Sequence, residues 1–218
     1  MHAFTPWPKT ARLFRNVIIT EKIDGTNSAV HISELPSSEL TPVEGVYVSH
    51  EGKSYWLNAQ SRKRMITPEA DNFGFARWAY DNAEDLVRIL GAGLHYGEWW
   101  GRGIQRGYGL NERRFSLFNV SRWYETGPDG LDSMSTRAEL SSLAGQIGAV
   151  PVLYTGMLST PVVRYELSKL RHTGSKVAPG YMSPEGVCIY HTQSRSIFKA
   201  TLDHDDAGKW ETSSLISD

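Results

Sequence analysis

Residues 16–33, NVIITEKIDGTNSAVHIS, hold two strand-like runs on either side of Asp24-Gly25. An Asp-Gly pair between such runs is a strong hairpin signal, because the tight turns that join antiparallel strands need positive φ at both central positions. The pattern recurs down the chain. Runs at 45–50 and 55–62 flank EGKS, runs at 94–99 and 114–120 flank the glycine-rich GRGIQRGYGLNE, and EGVCIYH and RSIFKAT come near the end. Three stretches read as helices: 73–90, with apolar residues at helical spacing and Gly91 closing it, 136–147, and 160–171, which strand-like VPVLYTG precedes. SELPSSELTPVEG reads as a solvated, mobile loop. With no internal repeat and no long linker, the pattern predicts one α+β domain over 1–218, mainly antiparallel sheet with flanking helices.

Composition narrows the function classes. A chain of 218 residues can bury a sizeable core, and 40% hydrophobic with 22% charged residues describes an ordinary soluble globule. The formal net charge of −1 gives no global basic field, so contact with a nucleic acid or an anionic membrane has to come from local patches. The lone Cys188 excludes an internal disulfide and fits a reducing cytoplasm. No window reaches the ~20 apolar residues of a membrane span, and MHAFTPWPKTARLF has no long apolar stretch. The expectation is a cytoplasmic protein with no membrane contact.

The hairpin reading accounts for Asp24 and Gly25 but not for Lys22 between two carboxylates, Glu21 and Asp24. A lysine attacks as a nucleophile only after its ammonium loses a proton, which burial or neighbouring positive charge promotes and these carboxylates oppose. Taken alone, Lys22 reads as a solvated strand lysine. Three other positions bear on it. Glu98 ends an apolar strand just before a glycine-rich loop, Glu185 opens a strand in SPEGVCIY, and Lys199 interrupts the apolar SIFKAT. Carboxylates at strand ends can face a shared cleft, and glycines let a ligand approach the backbone. Each position also has a plain reading as a solvated strand end or an edge-strand lysine.

In this order the stretches resemble the ATP-dependent RNA ligases, in the branch of T4 RNA ligase 2 and the RNA-editing ligases within the covalent nucleotidyltransferase superfamily. EKIDGTN is similar to that branch's nucleotidyl-lysine motif, YGEWWGRGIQ to its third motif, RFSLFNV to the aromatic strand that follows, PEGVCIY to the fourth and IFKAT to the fifth, covering about 21–201. The resemblance implies an adenylation-domain fold like that of DNA ligases and mRNA capping enzymes. It implies that Lys22 takes AMP from ATP, and that Glu21 and Ile23, its sequence neighbours, belong to the nucleotide-binding set, with Glu21 at the adenine edge. Asn27 would organise the phosphates and metal-bound water, Arg62 (or Arg64) would contact ribose and phosphate, Glu98 would hold the ribose hydroxyls, and Phe118 would stack on adenine. Glu185 would bind Mg²⁺ or Mn²⁺, and Lys199 would reach the α-phosphate. As residues, Phe115 and Phe118 project to opposite faces of a regular strand, so Phe118 reads equally as core.

Two positions depart from the family pattern: Asn119 stands where many relatives have Asp, and Thr201 where a second lysine is common. Relatives append a further domain, whereas about seventeen residues follow Thr201. The expectation is therefore no separate C-terminal domain, with self-adenylylation better supported than efficient sealing and a partner protein a candidate for the missing part. The implied substrate is RNA, or a nicked RNA/DNA duplex, with 5′-phosphate and 3′-OH ends. Alternatives are a DNA or mixed-strand nick ligase and a non-catalytic nucleic-acid-binding module. Arg102, Arg106, Arg113 and Arg114 with Tyr108 are candidates to track a phosphate backbone, as is a second basic stretch through Arg164, Lys169, Arg171, His172 and Lys176. DHDD reads as an exposed turn, no spacing suggests zinc, and His31, His50 and His191 read as ordinary strand polar residues.

Overall fold

A computed structural model describes residues 4, 10–35, 44–123 and 142–203. The chain divides into two compact units: Met1–Lys22 with Pro151–Asp218, and Ile23–Val150. It passes between them after Lys22 and after Val150.

The first unit is an antiparallel four-stranded sheet in the order β11-β10-β1-β9, built from β1 (Asn16–Lys22), β9 (Val152–Met157), β10 (Gly186–His191) and β11 (Ser196–Thr201). Strand alternation puts Val17 and Ile19 of β1 on one face, where they bury with Val187 and Ile189 against the helix that includes Leu170. Burying each such side chain is worth about 1.5–3 kcal/mol. That helix, Thr160–Thr173, starts at Ser159, whose Oγ accepts the Val162 N–H at 3.4 Å, and stops at Gly174 with φ 79°.

The second unit is a seven-stranded sheet in the order β3-β4-β2-β6-β7-β8, with β5 beside β4. Its strands are β2 (Thr26–Leu35), β3 (Val46–His50), β4 (Lys53–Ser61), β5 (Met65–Ile66), β6 (Gly93–Gly101), β7 (Arg113–Leu117) and β8 (Ile147–Ala149). Among the described strands of this unit only the β7–β8 pairing is parallel. Helices α1 (Phe75–Asp81) and α2 (Ala83–Leu90) bury Phe75, Ala79, Leu86 and Leu90 against Ile32, Leu57, Trp99 and Phe115 of the sheet. A short α3 (Val120–Trp123) follows β7, and the Thr160–Thr173 helix of the first unit is α4.

The α+β architecture and the antiparallel bias match the sequence expectation. The first hairpin does not form: β1 pairs with β9 and β10, and β2 with β4 and β6. Neither Asp24 nor Gly25 has positive φ. Gly25 is needed for close approach instead, since a Cβ there would collide with the Trp99 carbonyl and lie 2.8 Å from Trp100 Cβ. The positive-φ pair belongs to EGKS, where Glu51 (φ 50°) and Gly52 (φ 75°) join β3 to β4. The helix expected over 73–90 is two helices, broken at Asn82 (φ −115°), whose amide donates to the Trp78 carbonyl at 2.7 Å. The strand expected over 114–120 stops at Leu117, and Val120 opens α3. Of the helix expected over 136–147, residues 136–141 lie outside the described residues, 142–146 form turns and Ile147 begins β8. Residues 36–43 of the proline- and serine-rich loop, and 204–206 of DHDD, also lie outside them.

Candidate active site

The candidate residues fall into two groups, one in each unit. In the first, Lys22 is the last residue of β1 and pairs in register with Gly186, the first of β10. Lys22 Nζ donates to Glu185 Oε2 at 2.7 Å, and both side chains are largely buried, 22% and 15% exposed. Thr20 opposes Cys188 and Cys188 opposes Lys199, so Lys22 and Lys199 lie on the same sheet face. Lys199 is exposed on the edge strand β11. This face therefore carries a partly buried lysine held by a carboxylate and a second lysine two strands away.

Glu21 points the other way. It follows Val17 and Ile19 onto the α4 side and is only 1% exposed. Its Oε1 accepts Ser175 Oγ–H at 2.5 Å, and its Oε2 accepts the Lys176 and Val177 N–H groups at 2.7 and 3.0 Å. Burial raises its carboxyl above the ordinary glutamate range, although Ser175, Val177 and Lys176 pull it down. Its side chain thus anchors the α4–β10 connection and leaves only its backbone for a ligand. The carboxylate that the sequence set against Lys22 is committed elsewhere.

In the second unit Glu98 of β6 is 7% exposed and sits opposite Asn27 of β2. Its Oε1 accepts the Gly25 N–H at 3.1 Å and its Oε2 the Asn27 amide at 2.8 Å. Asp24 forms an ion pair with Arg106 at 3.0 Å, and its N–H donates to Tyr108 Oη at 2.7 Å. The glycine-rich loop brings both partners to the 24–27 segment by adopting positive φ at Gly103, Gln105, Gly107, Tyr108 and Gly109. Tyr108 is buried at 3% exposure with its ring edge-on to Trp100 at 5.0 Å, so it is not the surface aromatic expected among the arginines. Phe115 is fully buried, whereas Phe118, one residue past β7, is 41% exposed, which removes the core reading for Phe118. Ile23 is buried at 4% exposure, leaving its backbone as what it can offer a ligand.

The turn 61–64 joins β4 to β5 and exposes Arg62. Arg64 Nη1 donates to the Ala70 and Met65 carbonyls at 2.9 and 3.3 Å, so its guanidinium is tied to its own loop. Among the other arginines, Arg114 bonds Glu112 at 2.6 and 2.9 Å and lies over the Trp100 ring, Arg113 bonds two backbone carbonyls, and Arg102 is exposed. Arg164, Lys169, Arg171 and His172 are exposed on α4, as is Lys176 just beyond it. No group of three or more His, Cys, Asp or Glu side chains suited to holding a metal occurs among the described residues. A site with one carboxylate, Glu185, fits Mg²⁺ or Mn²⁺ only as an ion held largely by water and ligand phosphates.

Sequence reasoning missed Ser175 and gave Tyr108 a surface role in place of its buried contact with Asp24. The Glu21 contact was foreshadowed, because Val17 and Ile19 set a period of two that carries Glu21 inward. No comparable signal marks Tyr108, whose position depends on the loop's backbone.

No curated protein matches the chain by sequence. Structures of the Naegleria gruberi RNA ligase share its fold: an apo mutant and a mutant with AMP and Mn each give a TM-score of 0.50, at 15% and 16% identity. Each match covers 86% of this chain and 49% of the other, so the chain spans about half the length of the solved ligases it matches. The RNA ligase family model matches residues 15–201. The chain belongs to the RNA ligase family.

Proposed function

We propose that the chain joins RNA ends in an ATP-dependent reaction through AMP carried on Lys22. The observation that carries this reading is the Lys22–Glu185 contact at 2.7 Å, at the paired ends of β1 and β10, in a member of the RNA ligase family. The Naegleria gruberi ligase crystallised with AMP and Mn supports an adenine nucleotide and a divalent ion as ligands here.

Lys22 Nζ attacks the α-phosphorus of ATP; the P–N bond forms as the bond to pyrophosphate breaks. A 5′-phosphate oxygen of RNA then attacks that phosphorus, breaking the P–N bond and leaving an AMP-capped end. The 3′-hydroxyl of a second end attacks the 5′-phosphorus, forming the phosphodiester and releasing AMP. Glu185 would hold the divalent ion, which when bound offsets charge developing on the attacked phosphate. Glu185 also accepts from Lys22 Nζ, which orients the lysine at the paired ends of β1 and β10. Lys199 supplies positive charge toward the α-phosphate. Glu98 takes the ribose hydroxyls, Asn27 the phosphates, Arg62 ribose and phosphate, and Phe118 the adenine face, a stack worth ~1–3 kcal/mol.

The test is incubation with ATP, Mg²⁺ or Mn²⁺ and nicked RNA. A 5′-phosphorylated strand next to a 3′-hydroxyl gains an AMP cap and is then joined, while a 5′-hydroxyl strand gives neither product. Joining of DNA nicks in preference to RNA would overturn the RNA assignment. Protein that is folded and free of bound AMP yet caps no strand would overturn the enzyme itself.

A further inference from the structure

The second unit holds a cleft of about 730 Å³ that shares no residue with the candidate nucleotide and metal positions and includes two of the arginines, Arg102 and Arg113, read as candidates for a phosphate backbone. It lies beside α1 and the β6–β7 loop, and its lining includes Arg77, Trp78, Arg102, Arg113, Asn111 and Gln146. Its volume falls in the range of about 300–1,000 Å³ usual for small-ligand sites. Glu98 and Trp99 are successive residues of β6, so their side chains take opposite faces: Glu98 meets Gly25 and Asn27, and Trp99 borders the cleft.

We propose that this cleft binds one nucleotide of the RNA strand outside the ends being joined, with its base on Trp78 and its phosphate among the three guanidinium groups. The inference rests on the ligase reading above. Trp78 is the outermost ring of an aromatic cluster. Phe75 and Phe115 are fully buried and Trp99 is 2% exposed, whereas Trp78 is partly open, 4.9 Å from the Trp99 ring and 5.7 Å from Phe75. Its Nε1–H donates to Gln146 at 3.2 Å, which fixes the ring plane before any base arrives. Base stacking of this kind tolerates any sequence, because every base offers a π face.

Charge is arranged to match. Arg113 is oriented by bonds to the Phe73 and Arg102 carbonyls at 2.7 and 3.0 Å, both neutral acceptors. Phe73 and Gly74 have φ of 52° and 73°, and a Cβ at Gly74 would come within 2.9 Å of Arg113 Nη1, so this backbone is shaped around the guanidinium. Arg77 and Arg102 are exposed. Two carboxylates also line the cleft. Glu112 is already bonded by Arg114, and Asp81 stands one turn from Arg77 on α1. A planar guanidinium suits a phosphate better than a free lysine does, since it offers paired donors in a fixed fork.

The experiment measures binding of a fluorescent, 5′-phosphorylated single-stranded RNA to the wild-type protein and to Arg77→Glu across a salt series, with AMP transfer to Lys22 followed in both. Arg77→Glu is expected to weaken RNA binding roughly tenfold regardless of sequence, to lower the salt slope by about 0.7, and to leave AMP transfer unchanged. Wild-type RNA affinity in an Arg77→Glu protein that still takes AMP would overturn the cleft alone. A wild-type protein that takes no AMP would overturn the ligase reading and this inference with it. Should Arg77→Glu fail to fold, photocrosslinking of 4-thiouridine RNA to the unaltered protein decides: adducts on Trp78 are expected, and adducts confined to other segments would overturn the proposal.

Discussion

Because β1 alternates, Glu21 follows Val17 and Ile19 against α4, while Lys22 turns to the opposite face and meets Glu185. Glu21→Ala would strand the Ser175 hydroxyl and the Lys176 and Val177 N–H groups. It is expected to cost about 3 kcal/mol or more in urea unfolding, and Glu21→Gln, which keeps part of the network, about 1. Equal losses in the two variants would mean that burial alone, not hydrogen bonding, sets Glu21's contribution. Glu185→Gln keeps the size of the side chain but removes its charge. It should slow AMP transfer at least about tenfold, a barrier change of roughly 1.4 kcal/mol, and raise the Mg²⁺ concentration required. An unchanged rate and metal dependence would remove Glu185 from the chemistry. At this scale the sequence was informative wherever a side chain's direction follows from a period. The strand ends that carry Lys22, Glu98 and Glu185 were legible, whereas the partners of Asp24 were not, because Arg106 and Tyr108 reach it through a loop without regular period.

Elements were legible in kind more than in pairing. The strand runs and α4 were readable from alternation and apolar spacing, and those signals are local. Partner choice is not local: Asp24-Gly25 looked like a hairpin, yet its glycine serves the approach of the chain to the Trp99 carbonyl. Gly25→Ala is therefore expected to destabilise the second unit by about 1–3 kcal/mol and to disturb the Glu98–Asn27 contact, since the new methyl also lies 3.0 Å from Glu98 Cγ. Thermal unfolding of Gly25→Ala that matches the wild type would show that the segment relaxes freely. The break between α1 and α2 was hidden because apolar spacing continues through it, and only the Asn82 side-chain bond marks it.

For the whole molecule, two buried groups make stability depend on pH in opposite directions. His95 is 3% exposed and donates Nε2–H to the Gly91 carbonyl at 2.9 Å. Burial, with Arg122 and His31 nearby, depresses its pKa from 6.5 to about 4, against the raising effect of Gly91. The unfolded chain binds a proton near 6.5 that the folded chain refuses until about 4, so this contribution is intact above 6.5 and is lost as pH falls between those values. The full loss is on the order of 3 kcal/mol. Glu21 has the opposite sign: its raised pKa favours the folded state at low pH, and that favour fades as pH rises through its folded value. His95→Gln should flatten the fall in melting temperature between pH 6.5 and 4, and an unchanged slope would assign it to other groups. The α+β class was legible because it sums many local signals, whereas the division into two units follows from strand pairing between residues far apart in sequence. The proposed activity turns on one bond, between Lys22 Nζ and the phosphorus of AMP. The most direct measurement is the intact mass of the purified protein after ATP with Mg²⁺ or Mn²⁺, beside Lys22→Ala. A gain of one AMP that the variant lacks is the predicted result; no adduct with either metal, from folded protein free of bound AMP, would contradict the account.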